Sequence, residues 1–200
     1  VQYREKSAPA RVMVEEARAI RELCSSYGAV LIVDDRADVA YASDADGVHV
    51  GQDDLPVEHV RRMLGDAIVG ASAANPEEAR RAEEAGADYI GAGSVFPTGT
   101  KGDARVIGPE GLRSVLDSVR IPVYAIGGIR LEHLGALRSM GVHGVAVISA
   151  ILGSRDPREA ARAFVREWSS PRRGAPRSRA RPSCPRGASR RIWAPSWVVP

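Results

Sequence analysis

Seven short apolar runs punctuate this chain, and each closes on polar residues. They cover residues 1–6, 30–36, 47–54, 68–72, 89–93, 122–128 and 144–149. Continuous hydrophobic runs of this length suit strands buried on both faces, as in parallel sheets. Between them, residues 9–24, 56–64, 76–86, 109–119, 131–140 and 157–168 read as helices. The first places Val12, Val14, Ala17, Ile20 and Leu23 near one face among charges. Asn75 ahead of Pro76, Glu77 and Glu78 is a helix start with a capping residue, a first-turn proline and two acids. Asp156 and Pro157 repeat that start, while Gly86 and Gly141 supply stops.

Strand–helix alternation at these lengths predicts βαβ units with right-handed crossovers, an α/β fold. If every strand delivers polar residues at its C-terminal end, those residues converge on one face. That is the layout of a (β/α)8 TIM barrel, whose site is built at the strand C-termini. The count is seven strands, one short of eight, and the chain is short of the typical barrel length of about 250 residues. The first βα unit is expected to be missing. A barrel lacking a strand would carry two unpaired edges.

Composition sharpens this picture. The 200 residues are 44% hydrophobic, enough for one globular domain with a sizeable core. The net charge of +3 is set by residues 171–200, which hold eight arginines and six prolines but no acid. Residues 1–170 carry 20 basic and 25 acidic residues, net −5, which argues against a nucleic-acid surface. The expected organisation is a catalytic domain over 1–170 and a disordered, functionless tail over 171–200. A basic arm for nucleic acid is the sharper alternative for the tail. Cys24 and Cys184 give neither a disulfide framework nor metal spacing, which fits a reducing cytoplasm. No run approaches the roughly 18 apolar residues of a membrane span, and no signal peptide is visible. Beginning on Val rather than Met suggests a fragment or a non-standard start. The expected partners are small phosphorylated molecules, with neither nucleic acid nor membrane; a homo-oligomer is compatible with all of this.

Candidate chemistry sits at the strand ends. Asp35 and Asp54 close neighbouring runs and could share Mg²⁺, which keeps several waters and accepts substrate phosphate oxygens. Capping or simple solvation is the alternative for each acid, and Asp34 and Asp53 are competing carboxylates. The chain holds only two lysines, Lys6 and Lys101; both fall on the proposed site face, as does Arg4. Ammonium and guanidinium groups suit phosphate, although solvated surface placement stays open. Gly127–Gly128 and Ile148–Ser149 follow the last two runs, where barrels often hold a phosphate through backbone N–H groups. Residues 97–101 pack two threonines and a lysine into a glycine-containing loop, for which an ordinary polar turn is the alternative. The histidines His49, His59, His133 and His143 show no ligand spacing; His49 reads best as a packed core histidine. No Ser/His/Asp or Cys/His set stands out. The sum is a diphosphate or a pair of phosphorylated substrates, a divalent cation and no nucleophile, which fits displacement of a diphosphate leaving group.

Over residues 1–168 the chain resembles the thiamine-phosphate synthase family. The resemblance rests on VQYREK, IVDDR, ADGVHVGQDDLP, GADYIGAGSVFPTGTK, AIGGI and VAVISAI in that order. It implies a transferase joining an aminopyrimidine diphosphate to a thiazole phosphate, releasing pyrophosphate, by a dissociative route in which diphosphate leaves first. By the same resemblance, Gln2 recognises the aminopyrimidine and Arg4 and Lys6 hold its diphosphate. Tyr3, Glu5 and Asp34 belong to that binding segment, with Ser72 and Lys101 on the diphosphate's other side. Arg4, Lys6, Lys101 and Ser72 would be the catalytic set, and Asp35 and Asp54 would bind Mg²⁺. Thr98, Gly99, Thr100, Gly128, Ile148 and Ser149 would hold the thiazole phosphate.

Three departures stand against the family pattern: Asp34 in place of the usual Asn, the absent first strand and helix, and the foreign tail. An extra carboxylate at position 34 would repel a diphosphate unless protonated or turned to the metal. The related thiazole tautomerases carry a histidine two residues after the serine matched by Ser72, and here that position is Ala74. The remaining alternatives are such an isomerase or a truncated, non-catalytic homologue.

Overall fold

The computed structural model describes residues 1–99 and 105–170. Its strands are β1 (Gln2–Tyr3), β2 (Ile32–Asp34), β3 (Gly47–Val50), β4 (Ile68–Ala73), β5 (Tyr89–Ala92), β6 (Val123–Ile126) and β7 (Gly144–Ala146). Six fall within the apolar runs and β4 extends one residue beyond its run, and the strands follow one another in chain order from β1 to β7. The helices between them are α1 (Ala10–Ser26), α2 (Ala37–Ala42), α3 (Val57–Leu64), α4 (Pro76–Glu84), α5 (Gly108–Ser118), α6 (Leu134–Met140), α7 (Ser149–Leu152) and α8 (Pro157–Ser169). This is the expected α/β fold of TIM-barrel type with seven strands among the described residues. No described helix is long and apolar enough to cross a membrane.

The described residues fall into two compact units: Val1–Ser72 with Arg81–Tyr89, and Ala73–Arg80 with the residues from Ile90 onward. In the first unit β1 pairs with β2, β2 with β3 and β3 with β4, all parallel. Val33 lies beside Val48 and Val48 beside Val69, and all three are buried. One device recurs at the strand beginnings. Asp46, just before β3, accepts the Leu31 N–H at 2.8 Å and pairs with Arg21 of α1 at 3.2 Å. Asp88, just before β5, accepts the Val69 N–H at 2.8 Å and pairs with Arg61 of α3 at 2.6 Å. An aspartate thereby satisfies a buried N–H and ties a helix to the strand start.

Helix α2 has no counterpart in the sequence reading. Its six residues bury Ala37, Val39 and Ala40, too short a run for helical periodicity to show. In the second unit β5, β6 and β7 pair in parallel. The anticipated helix starts are present: the Asn75 side chain accepts the Glu78 N–H at 3.0 Å, and Asp156 accepts that of Glu159 at 3.0 Å. Glu78 in turn accepts the Ala74 N–H at 2.7 Å and the Asn75 side-chain amide at 2.6 Å, which ties the first turn to the residues before it. Gly141 ends α6 in the left-handed region at φ 92°, as its place in the sequence implied.

Candidate active site

Alternation along β1 sorts its residues onto two sides. Gln2 and Arg4 both reach Asp34 at the end of β2: the Gln2 amide donates to Oδ1 at 3.1 Å, and Arg4 Nε lies 3.1 Å from Oδ2. Two residues on, Lys6 pairs with Asp35. Tyr3 and Glu5 stand elsewhere. The Tyr3 hydroxyl donates to Glu16 of α1 at 2.6 Å, and burial together with that carboxylate pushes the phenol up to about 12. Glu5 accepts the Ser7 N–H and hydroxyl and the Ala8 N–H, which hold its carboxyl down at about 2. These two members of the expected diphosphate segment thus serve the approach to α1, while Gln2, Arg4 and Lys6 meet the acids.

Asp34 is buried, with Arg4 Nε facing one of its carboxylate oxygens. Asp35 holds φ at 63°, a left-handed conformation that aspartate tolerates better than most residues, and donates its N–H to the His49 carbonyl at 2.7 Å. Asp54 accepts the Gly51 N–H at 2.7 Å. Burial raises the Asp54 carboxyl above the ordinary range and its neighbour Asp35 adds to the rise, against the Gly51 N–H and Lys6. The cluster therefore brings Lys6, Asp35 and Asp54 within electrostatic reach of one another, as their places at strand ends anticipated.

The donor set is compatible with the expected Mg²⁺. Among the described residues no group of three or more His, Cys, Asp or Glu side chains forms a cage. Mg²⁺ does not demand one, since one or two carboxylates with water and phosphate oxygens complete its shell. Two hard carboxylates, one raised by burial and then by the other, are a suitable pair for a divalent cation.

Ser72, near the end of β4, is met by His49, which the sequence reads as a packed core histidine, and by Gln52, which the sequence reading did not single out. His49 Nε2 lies 2.9 Å from the Ser72 hydroxyl, and its Nδ1 lies 3.0 Å from the Tyr89 hydroxyl. The Gln52 amide donates to the Ser72 carbonyl at 2.7 Å. Gly70, paired with His49 across β3 and β4, makes this arrangement fit, because a Cβ there would run into the Tyr89 ring. His49 is indeed buried, as a core histidine would be, but both ring nitrogens are turned to hydroxyls. The available signal was the polar residue between Val48 and Val50 on a strand whose C-terminal end carries the chemistry.

In the second unit the segment after β5 folds over the end of β6. The Val95 N–H donates to the Ile126 carbonyl at 2.9 Å and the Phe96 N–H to the Gly127 carbonyl at 3.1 Å. Gly127 and Gly128 are both left-handed, at φ 95° and 63°, and a Cβ on either would collide with residues 94–97. The glycine pair thus has a packing reason as well as N–H groups to offer an anion. Thr98 and Gly99 continue that segment; Thr100 and Lys101 lie outside the described residues. Ile148 and Ser149 open the four-residue α7.

The family model described as thiamine monophosphate synthase matches residues 1–151. A thiamine-phosphate synthase of Caldivirga maquilingensis is 56% identical over 168 residues, 84% of this chain and 82% of that protein. Among solved structures, a thiamine phosphate pyrophosphorylase from Pyrococcus furiosus is 49% identical with a TM-score of 0.79, covering 84% of this chain and 81% of that one. A 3-hexulose-6-phosphate synthase from Salmonella typhimurium, 23% identical with a TM-score of 0.63 over 78% of this chain and 79% of its own, shares the fold alone.

Proposed function

This chain belongs to the thiamine monophosphate synthase family, and on that premise we infer that it joins 4-amino-2-methyl-5-(diphosphooxymethyl)pyrimidine to a thiazole phosphate, yielding thiamine phosphate and pyrophosphate. The observation that carries this is the meeting of Arg4 and Lys6 with Asp34 and Asp35 at the ends of β1 and β2. Cations and carboxylates so arranged suit a diphosphate accompanied by a divalent cation, and no nucleophile is needed.

Asp35 and Asp54 would hold Mg²⁺, which supplies charge to a departing diphosphate when bound. Lys6 sits beside Asp35 and exchanges that partner for phosphate oxygens. Arg4 engages Asp34 through Nε, which leaves the Nη end of its fork for the diphosphate. The bond from the pyrimidine methylene carbon to the diphosphate oxygen breaks, its electron pair leaving with pyrophosphate. The thiazole nitrogen then donates its lone pair to that carbon. The protein's part is positioning and charge placed ahead of the reaction. Ser72 and Lys101 complete the diphosphate's surroundings in this reading. Thr98, Gly99, Thr100, Gly128, Ile148 and Ser149 are assigned to the thiazole phosphate.

The test is pyrophosphate release by the purified chain with both substrates, with and without Mg²⁺. Release that needs both substrates and the metal supports the proposal. Conversion of a thiazole substrate without diphosphate and without metal would move the chain to isomerase chemistry.

A further inference from the structure

Asp34 lies where the notable departure from the family pattern falls, and the structure gives it two partners rather than none. One oxygen accepts from the Gln2 amide nitrogen at 3.1 Å and the other faces Arg4 Nε at 3.1 Å, with the carboxylate buried. A carboxylate paired with arginine accepts hydrogen bonds and donates none, whereas an asparagine at the same place does both. Gln2 therefore has one stable orientation: turning its amide over would set Oε1 against a buried Asp34 oxygen. With one Nε2 proton committed to Asp34, the amide keeps Oε1 and its second N–H, an acceptor beside a donor. The edge of a 4-aminopyrimidine offers the complement, an exocyclic N–H beside a ring nitrogen acceptor. A 4-oxo pyrimidine reverses both, presenting a carbonyl beside a ring N–H.

We propose that Asp34 is a specificity-determining positioning residue, which locks the Gln2 amide in the orientation that accepts an aminopyrimidine and rejects its oxo analogue. The inference rests on the transferase reading above and deepens it. Arg4 belongs to the same lock, because its pairing keeps the carboxylate an acceptor and shares its two oxygens between the two side chains. An asparagine at position 34 lets Gln2 turn, since the Asn amide can donate to Oε1 as readily as its carbonyl accepts from Nε2. Gln2 is itself exposed, but the carboxylate that orients it is buried, so a bound oxo analogue sets like groups against like along the amide edge and leaves them unpaired.

The experiment measures kcat/KM for the aminopyrimidine diphosphate and for its 4-oxo analogue, with Mg²⁺ and the thiazole phosphate, in the wild type and in Asp34→Asn. The wild type is expected to prefer the amino substrate strongly, and Asp34→Asn to lower that preference at least about tenfold. A purely structural role would lower both values together and leave their ratio unchanged; an unchanged ratio overturns the inference. Gln2→Ala must remove the same preference, and full preference in that variant overturns the inference even if Asp34→Asn does not fold. Turnover of neither substrate by the wild type would refute the transferase reading itself, and the specificity inference with it. Turnover of the amino substrate with an unaltered ratio in the variants refutes the inference alone.

Discussion

His49 Nε2 stands 2.9 Å from the Ser72 hydroxyl oxygen, so a histidine in the middle of β3 aims a serine near the end of β4. On its other side the same ring meets Tyr89 at 3.0 Å, with ring centroids 5.4 Å apart. A hydroxyl bonded to an imidazole is held in one rotamer and offers its remaining capacity in a fixed direction.

If Ser72 contacts the diphosphate, that direction is what His49 contributes. His49→Ala is expected to lower kcat by about tenfold through a mis-aimed hydroxyl, and Ser72→Ala by more. The two losses should fail to add, with a coupling of about 0.5–3 kcal/mol in a double-mutant cycle on kcat/KM. Strict additivity would separate the histidine from the serine.

Gly70 carries the packing side of that arrangement. Its position across from His49 is filled by the Tyr89 ring, which also packs on Val30, Ile32 and Ile68. Gly70→Ala is expected to cost about 1–3 kcal/mol in denaturant unfolding, as overpacking does. Tyr89→Ala also destabilises by removing packing, yet the double variant should cost less than the sum, because the added methyl then enters the space the ring vacates.

Much of this was legible in the chain. The seven apolar runs mark the seven strands, and Asn75 and Asp156 announce their helices because a cap, a first-turn proline and acids are local signals. Asp35, Asp54, Arg4 and Lys6 were legible as strand-end residues. Their pairings were less so, since Gln2 and Arg4 meet Asp34 across about thirty residues of chain and only strand register brings them together. Tyr3 and Glu5 share a motif with Gln2, Arg4 and Lys6, but alternation turns them toward α1, a distinction a motif does not carry. His49 reads as core from its place between two valines of a strand run, and it is indeed buried; that its ring bridges two hydroxyls depends on the missing side chain at Gly70.

Stability should depend on pH through His143. Burial lowers its pKa below the ordinary 6.5, and Nδ1 accepts the Val123 N–H at 3.1 Å, which suits the neutral ring. Below about pH 6.5 the unfolded chain binds a proton that the folded chain does not, so stability falls as pH drops through that value toward the lowered folded pKa. Thermal melts from pH 7.5 to 5 are expected to show a declining Tm. His143→Gln should flatten the part of the decline centred near the unfolded value. An identical slope in that variant would assign the decline to other groups.

Asp54 sets function against stability. Its carboxyl is raised by burial and by neighbouring Asp35, so two acids are held close where charge on one opposes charge on the other. In the absence of metal, that opposition works against the folded state at neutral pH. Asp54→Asn removes one charge while keeping the side chain's shape and an oxygen that can still accept the Gly51 N–H. Without added Mg²⁺ the variant is therefore expected to melt higher than the wild type. With Mg²⁺ and both substrates it should turn over more slowly by about a hundredfold, the scale of losing one electrostatic element directed at developing charge. The wild type should also gain more thermal stability from Mg²⁺ than the variant does, because only the wild type offers both carboxylates to the cation. A variant that melts lower without metal, or one that keeps the full Mg²⁺-dependent gain, would show that Asp54 is held by its Gly51 contact alone and does not share a cation with Asp35.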